Sequence, residues 1–146
     1  DVMSTAMKFA QGRLSPPSLG QIAGEASLDT KKEYFDAVSA EYISRRNYMI
    51  GALKKMKGVK TPMPKGAFYT IAKLPIDNSD KFCQWILESF EYKKQTVMMA
   101  PAIGFYATKG LGKNEVRIAY VLNNEDLKNA MEVLEKALEQ YPGRVD

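Results

Sequence analysis

Val97–Leu122, VMMAPAIGFYATKGLGKNEVRIAYVL, sets two apolar segments on either side of a glycine-bearing loop, with a lone arginine inside the second. It reads as a short apolar strand at Val97–Ala100 ended by Pro101, a glycine-bearing loop from Pro101 to Gly112, and a second strand in which Arg117 is set among apolar residues. Alternation along a strand puts Val116, Ile118 and Tyr120 on one face and Arg117, Ala119 and Val121 on the other. A guanidinium in a core strand is costly unless an anion meets it, so either another part of the protein or a ligand has to supply one.

Outward from this stretch, the second half of the chain alternates elements. Thr61-Pro62-Met63-Pro64-Lys65-Gly66 is a rigid turn, and Ala67–Lys73 follows as a strand. Asn78-Ser79-Asp80 caps a helix with Phe82, Ile86, Leu87 and Phe90 at helical spacing, and Cys83 reads as core beside them. Asn123-Asn124-Glu125-Asp126 caps the last helix, whose buried face is Leu127, Ala130, Met131, Leu134 and Leu138. Strand–helix–strand–strand–helix predicts an α+β layer, a small mixed sheet of three or four strands with helices on one face. Arg117 then lies on the other, uncovered face.

The first half is helical. Val2, Ala6 and Phe9 predict a helix already under way at Asp1 and closed by Gly12, as in a piece of something longer. Pro16 and Pro17 make 13–18 a loop, and a short helix follows from Ser18 with Leu19, Ile22, Ala23 and Ala26 on one face. Thr30-Lys31-Lys32-Glu33 is a capping-box pattern that starts a helix running to about Lys57, with Phe35, Val38, Tyr42, Met49, Leu53 and Met56 as its stripe. Such a length suits a bridge between domains, and Arg45-Arg46 on it is expected to meet carboxylates or solvent.

Composition excludes more than it selects. The chain of 146 residues has no histidine, which removes histidine triads and histidine-ligated metals, and no metal site is expected. The net charge of +4 is dispersed, so nucleic acid is not expected as a partner. No apolar run reaches the length of a membrane span, and no secretory leader pattern opens the sequence, so no membrane partner is expected either. The single cysteine fits a cytoplasmic setting. The lysines sit in turns or on polar helix faces, none in an apolar setting that would activate it, and no general base or nucleophile stands out.

Arg117 is the sharpest candidate, since a planar guanidinium grips a carboxylate with two parallel hydrogen bonds. An internal ion pair with Glu115 or another nearby acid is the alternative. Gly104, Gly110 and Gly112 match neither a dinucleotide fingerprint nor a P-loop and suit a mobile lid or a turn-rich connection, with Phe105 and Tyr106 as candidate pocket walls or simple packing.

The order of motifs resembles the class I/II aminotransferases, fold-type I enzymes dependent on pyridoxal phosphate, and most of all the aspartate aminotransferase group. It is carried by Ser15-Pro16-Pro17-Ser18 with Gln21, Tyr42 with Arg45-Arg46, Pro64-Lys65-Gly66-Ala67-Phe68-Tyr69, Ala100-Pro101 with Gly104-Phe105, and Val116-Arg117-Ile118-Ala119. The resemblance implies that 1–29 end a large cofactor-binding domain, that 30–58 are the interdomain helix and that 59–146 are the C-terminal small domain. It implies amino acid and 2-oxo acid substrates, a homodimeric parent, and Arg117 as the anchor of the substrate α-carboxylate. Phe105 resembles a loop aromatic near the substrate side chain. Arg13 precedes a loop that in this family approaches the neighbouring active site, where it would reach a distal carboxylate or the cofactor phosphate; otherwise it is a solvated loop arginine.

The departures matter too. The family's Schiff-base lysine and most of its cofactor-binding residues precede the Ser-Pro-Pro loop by a distance that this sequence does not contain, and Lys8 lacks the Ser-Lys context. No catalytic or cofactor-binding residue is therefore expected here, and the chain alone is expected to be inactive. Pro101-Ala102 and Phe105-Tyr106 stand where the family writes Pro-Gly and Phe-Gly, so the side-chain preference does not carry over. The alternative is a stand-alone α+β module that binds a small carboxylate.

Overall fold

A computed structural model describes residues 1–12 and 17–145. The elements are α1 (Val2–Gln11), α2 (Ser18–Ser27), α3 (Lys32–Leu53), β1 (Tyr69–Lys73), α4 (Ser79–Glu88), β2 (Ala100–Pro101), a 3-10 turn at Ile103–Phe105, β3 (Glu115–Ala119) and α5 (Asn124–Gln140). The chain divides into two units, Asp1–Ala37 and the residues from Val38 onward, and the division falls inside α3. No helix among the described residues is long and apolar enough to cross a membrane.

In the first unit, the Asp1 side chain accepts from the backbone N–H of Met3 at 3.2 Å at the start of α1. No residue of α1 or α2 is buried, so the apolar faces expected of them, Val2 and Phe9 on one and Leu19 and Ile22 on the other, are exposed.

The second unit is built around the sheet. Its strand order is β1-β3-β2, and both pairings are antiparallel, which corrects the expected mixed sheet. A loop returns the chain from β2 directly alongside β3, and such a return gives antiparallel neighbours; parallel ones need a crossover. The strand expected at Val97–Ala100 pairs only at Ala100 and Pro101. Proline has no N–H to donate, which confines it to the edge of a sheet and ends the ladder there.

Burial along β3 alternates as the sequence predicted: Val116, Ile118 and Tyr120 are buried while Arg117, Ala119 and Val121 are exposed. The inner face packs with Phe82 and Ile86 of α4, Leu127, Leu134 and Leu138 of α5, and Ile50 and Leu53 of α3 in one apolar cluster. Asn78 caps α4 by accepting from the N–H groups of Asp80 and Lys81 at 2.9 and 3.1 Å, and Asn123 caps α5 by accepting from Asp126 N–H at 2.9 Å. Leu87, assigned to the α4 stripe, is instead half exposed, because Phe82, Cys83 and Ile86 already fill the side of the helix that meets the sheet.

The helix predicted to run to Lys57 ends at Leu53. Beyond it the N–H groups of Lys55 and Met56 bond the carbonyls of Ala52 and Leu53 at 3.0 and 3.2 Å, a three-residue spacing that tightens the chain. This turn brings Met56 and Val59 into the core.

Candidate functional site

β3 is central in the sheet, so its outward side chains are flanked on both sides. Arg117 stands opposite Ile71 of β1 and Ala100 of β2, with Glu115 opposite Lys73 and Ala119 opposite Tyr69. The Arg117 side chain is exposed, which removes the desolvation cost assigned to it from the sequence. Its guanidinium carbon lies 5.2 Å from the centre of the Tyr69 ring and 4.8 Å from that of Phe105. Rings at these distances attract the cation through their quadrupoles, by about 0.5–1 kcal/mol each at an exposed site, and leave its N–H donors uncommitted. Among the described residues no carboxylate pairs with Arg117 and none accepts a hydrogen bond from it.

Glu115, the internal partner considered for Arg117, is engaged elsewhere: the Tyr106 hydroxyl donates to its carboxylate. That bond, more than burial, holds the Tyr106 phenol above its ordinary pKa. The loop carrying Phe105 and Tyr106 is fixed at both ends. Ala102 N–H bonds the Glu115 carbonyl at 2.9 Å, and Glu115 N–H bonds the Gly112 carbonyl at 3.0 Å. A recess of about 460 Å³ opens on this face, lined by Lys60, Thr61, Ile71, Lys73, Tyr106 and Glu115. A larger one of about 630 Å³, lined by Val97, Met98, Ile118, Leu122 and Leu134 among others, is mainly apolar and does not reach Arg117.

The structure thus brings together two of the three residues expected at the site, Arg117 and Phe105. Arg13 lies outside the described residues. Tyr69, Tyr106 and Glu115 join them; Tyr69 was legible as an outward residue at the start of β1, whereas the Tyr106–Glu115 bond depends on the path of the loop. Of the Arg45-Arg46 pair, expected to meet carboxylates or solvent, Arg45 does meet a carboxylate, whereas Arg46 bonds a backbone carbonyl and the Asn47 amide oxygen. Arg45 bonds the Glu41 carboxylate at 2.7 Å and the Val121 carbonyl at 2.6 Å, and Arg46 bonds the Pro64 carbonyl at 3.1 Å. No lysine among the described residues is buried, no buried side-chain polar atom among them lacks a partner, and no cluster of metal-ligating residues occurs among them.

In fold and in sequence the chain is similar to a portion of pyridoxal phosphate-dependent aminotransferases. No family model matches it. Within that class the likeness is to the aspartate aminotransferase group. The chain is 36% identical over 126 residues to an aspartate aminotransferase of Pyrococcus horikoshii, covering 84% of this chain and 30% of that one. In structure it matches the α-aminoadipate aminotransferase of Thermus thermophilus, solved with N-(5'-phosphopyridoxyl)-L-leucine, at a TM-score of 0.72 and 25% identity over 94% of this chain and 35% of that one. It matches the aspartate aminotransferase of Thermotoga maritima at a TM-score of 0.69 and 29% identity, over 91% of this chain and 32% of that one. The chain spans about a third of the length of the relatives it matches.

Proposed function

We propose that this chain is the C-terminal part of an aminotransferase, in which Arg117 anchors the carboxylate of an amino acid or 2-oxo acid. The observation that carries this is the Arg117 guanidinium, exposed on an open sheet face, flanked by two rings and paired with no carboxylate of the described residues. Two parallel N–H donors fix the plane of a carboxylate as well as its position. The bond to be broken at the substrate Cα is then held in one orientation, which is what positioning contributes to a reaction. Residues 1–29 would close a cofactor-binding domain, 30–58 would form the bridging helix and 59–146 the small domain. Amino transfer needs pyridoxal phosphate as electron sink, and no step through it is assigned to the residues present. Alone, the chain carries out no amino transfer; with the rest of the enzyme it works as a homodimer.

The coding sequence upstream of Asp1 tests the first half of the proposal. An in-frame large domain with a Ser-Lys motif is the expected finding, and a start codon immediately upstream of Asp1 favours a stand-alone carboxylate-binding module. In the enzyme so obtained, Arg117→Ala removes two charge-assisted bonds, together about 3 kcal/mol, so kcat/KM falls roughly a hundredfold with thermal stability nearly unchanged. Lost stability with an unaltered KM would instead assign Arg117 a structural role.

A further inference from the structure

On the open face Arg117 has a competitor for its ligand inside its own strand. Glu115 is two residues away on the same side of β3. At about 3.3 Å per residue, the two Cα atoms are separated by roughly 7 Å, within reach of two long side chains. A carboxylate so placed closes onto a guanidinium unless something else holds it. We infer that Tyr106 is a positioning residue that keeps Glu115 off Arg117 and, through the same loop, holds Phe105 against the guanidinium, leaving its fork open to a ligand carboxylate.

Three observations meet here. The Tyr106 hydroxyl donates to Glu115 Oε2. The Tyr106 ring lies against Gly112 so closely that a Cβ there would come within 2.7 Å of Tyr106 Cδ2 and 2.8 Å of the Ala102 carbonyl oxygen. Phe105, the next residue in the chain, lies 4.8 Å from the Arg117 guanidinium carbon. Gly112 therefore provides the seat, Tyr106 occupies it, and the hydroxyl reaches the carboxylate that would otherwise compete. Lys73, opposite Glu115 in register, is the other cation beside that carboxylate.

This inference rests on Arg117 as the carboxylate anchor, and the experiment separates the two. The 146-residue chain is labelled with ¹⁵N-arginine, and the Arg117 Nε–Hε signal is followed without ligand and then with L-aspartate as probe. In Tyr106→Phe, the freed Glu115 pairs with Arg117. The ligand-free signal moves, rotation about the guanidinium bonds slows, and the response to L-aspartate falls about threefold. In Tyr106→Phe combined with Glu115→Gln, both the ligand-free signal and the response return to within about 1.5-fold of the parent. A merely structural effect of losing the hydroxyl is not rescued by the second change. An unchanged Arg117 signal in Tyr106→Phe, or failure of Glu115→Gln to restore it, overturns the positioning role. Should Arg117→Ala in the full-length enzyme leave kcat/KM for L-aspartate unchanged, the anchor itself is wrong, whatever Tyr106 does.

Discussion

Replacing Gly112 with alanine tests how tightly the loop is seated beneath Arg117, and Gly110→Ala supplies the internal standard. Both glycines have positive φ, +74° at Gly112 and +92° at Gly110. An alanine forced into that region costs about 1–2 kcal/mol at either position. They differ in what the new methyl meets. At Gly110 there is open space, whereas at Gly112 the Cβ lands 2.7 Å from Tyr106 Cδ2 and 2.8 Å from the Ala102 carbonyl oxygen. The second contact is with backbone, which cannot swing aside as a side chain can, so the loop or β3 has to shift, at about 1–3 kcal/mol more. The expected losses are therefore about 1–2 kcal/mol for Gly110→Ala and about 2–5 kcal/mol for Gly112→Ala. Urea unfolding followed by fluorescence of Trp85 reads them, because that ring packs against Phe82, Phe90 and Tyr141 in the core of the same unit. If the two variants agree to within about 0.5 kcal/mol, the seat is loose and the close approach described here is wrong.

Two other groups give readable signals. The Tyr141 hydroxyl donates to Asp77 at 2.9 Å, and burial together with that bond pushes its pKa up to about 12. An unfolded phenol loses its proton near pH 10, so this contribution is complete below that pH and fades as pH rises towards 12. By pH 11 the loss is about 1 kcal/mol. The parent should therefore lose that much more than Tyr141→Phe between pH 9 and 11, and parallel losses would refute the assignment. Burial, aided by the Asp80 charge, pushes the Cys83 thiol up to about 11, from a reference of 9.0. That lowers its thiolate population roughly a hundredfold, so iodoacetamide labelling at pH 8 should be at least that much slower in the folded chain than in urea, with equal rates contradicting the burial.

What the sequence revealed follows from how local each signal is. The alternation Val116-Arg117-Ile118 and the caps at Asn78 and Asn123 depend on immediate neighbours, and the structure has all of them. The end of α3 was not legible. Lys54–Lys57 continue a helical pattern, and only the core's claim on Met56 and Val59 tightens the chain there. The apolar faces of α1 and α2 were correctly placed on helices, but periodicity does not say what covers a face, and here they are exposed. Arg117 stood out as a charge inside a strand, while its surroundings did not. Tyr69 reaches it through strand register and Phe105 through the path of a loop, neither of which is fixed by spacing along the chain.

β3 divides two kinds of work by the parity of its residues, and this bears on how strongly the open face can bind. The inward residues Val116, Ile118 and Tyr120 hold the layer together whether or not Arg117 has a ligand, so stability and recognition can vary independently. Arg117 incurs little desolvation cost while exposed, but for the same reason it offers little affinity. An ion pair open to water is worth about 1 kcal/mol or less, since water competes for both partners and screens their attraction. The same fork behind a surface that excludes water reaches the roughly 3 kcal/mol expected of two charge-assisted bonds. The flanking rings of Tyr69 and Phe105 remove part of that water without using any donor, which takes the site one step towards the drier limit. If the proposed role of Arg117 holds, whatever lies across this sheet face sets the affinity, while the strand, the rings and the Tyr106–Glu115 bond set the direction in which a carboxylate would be held.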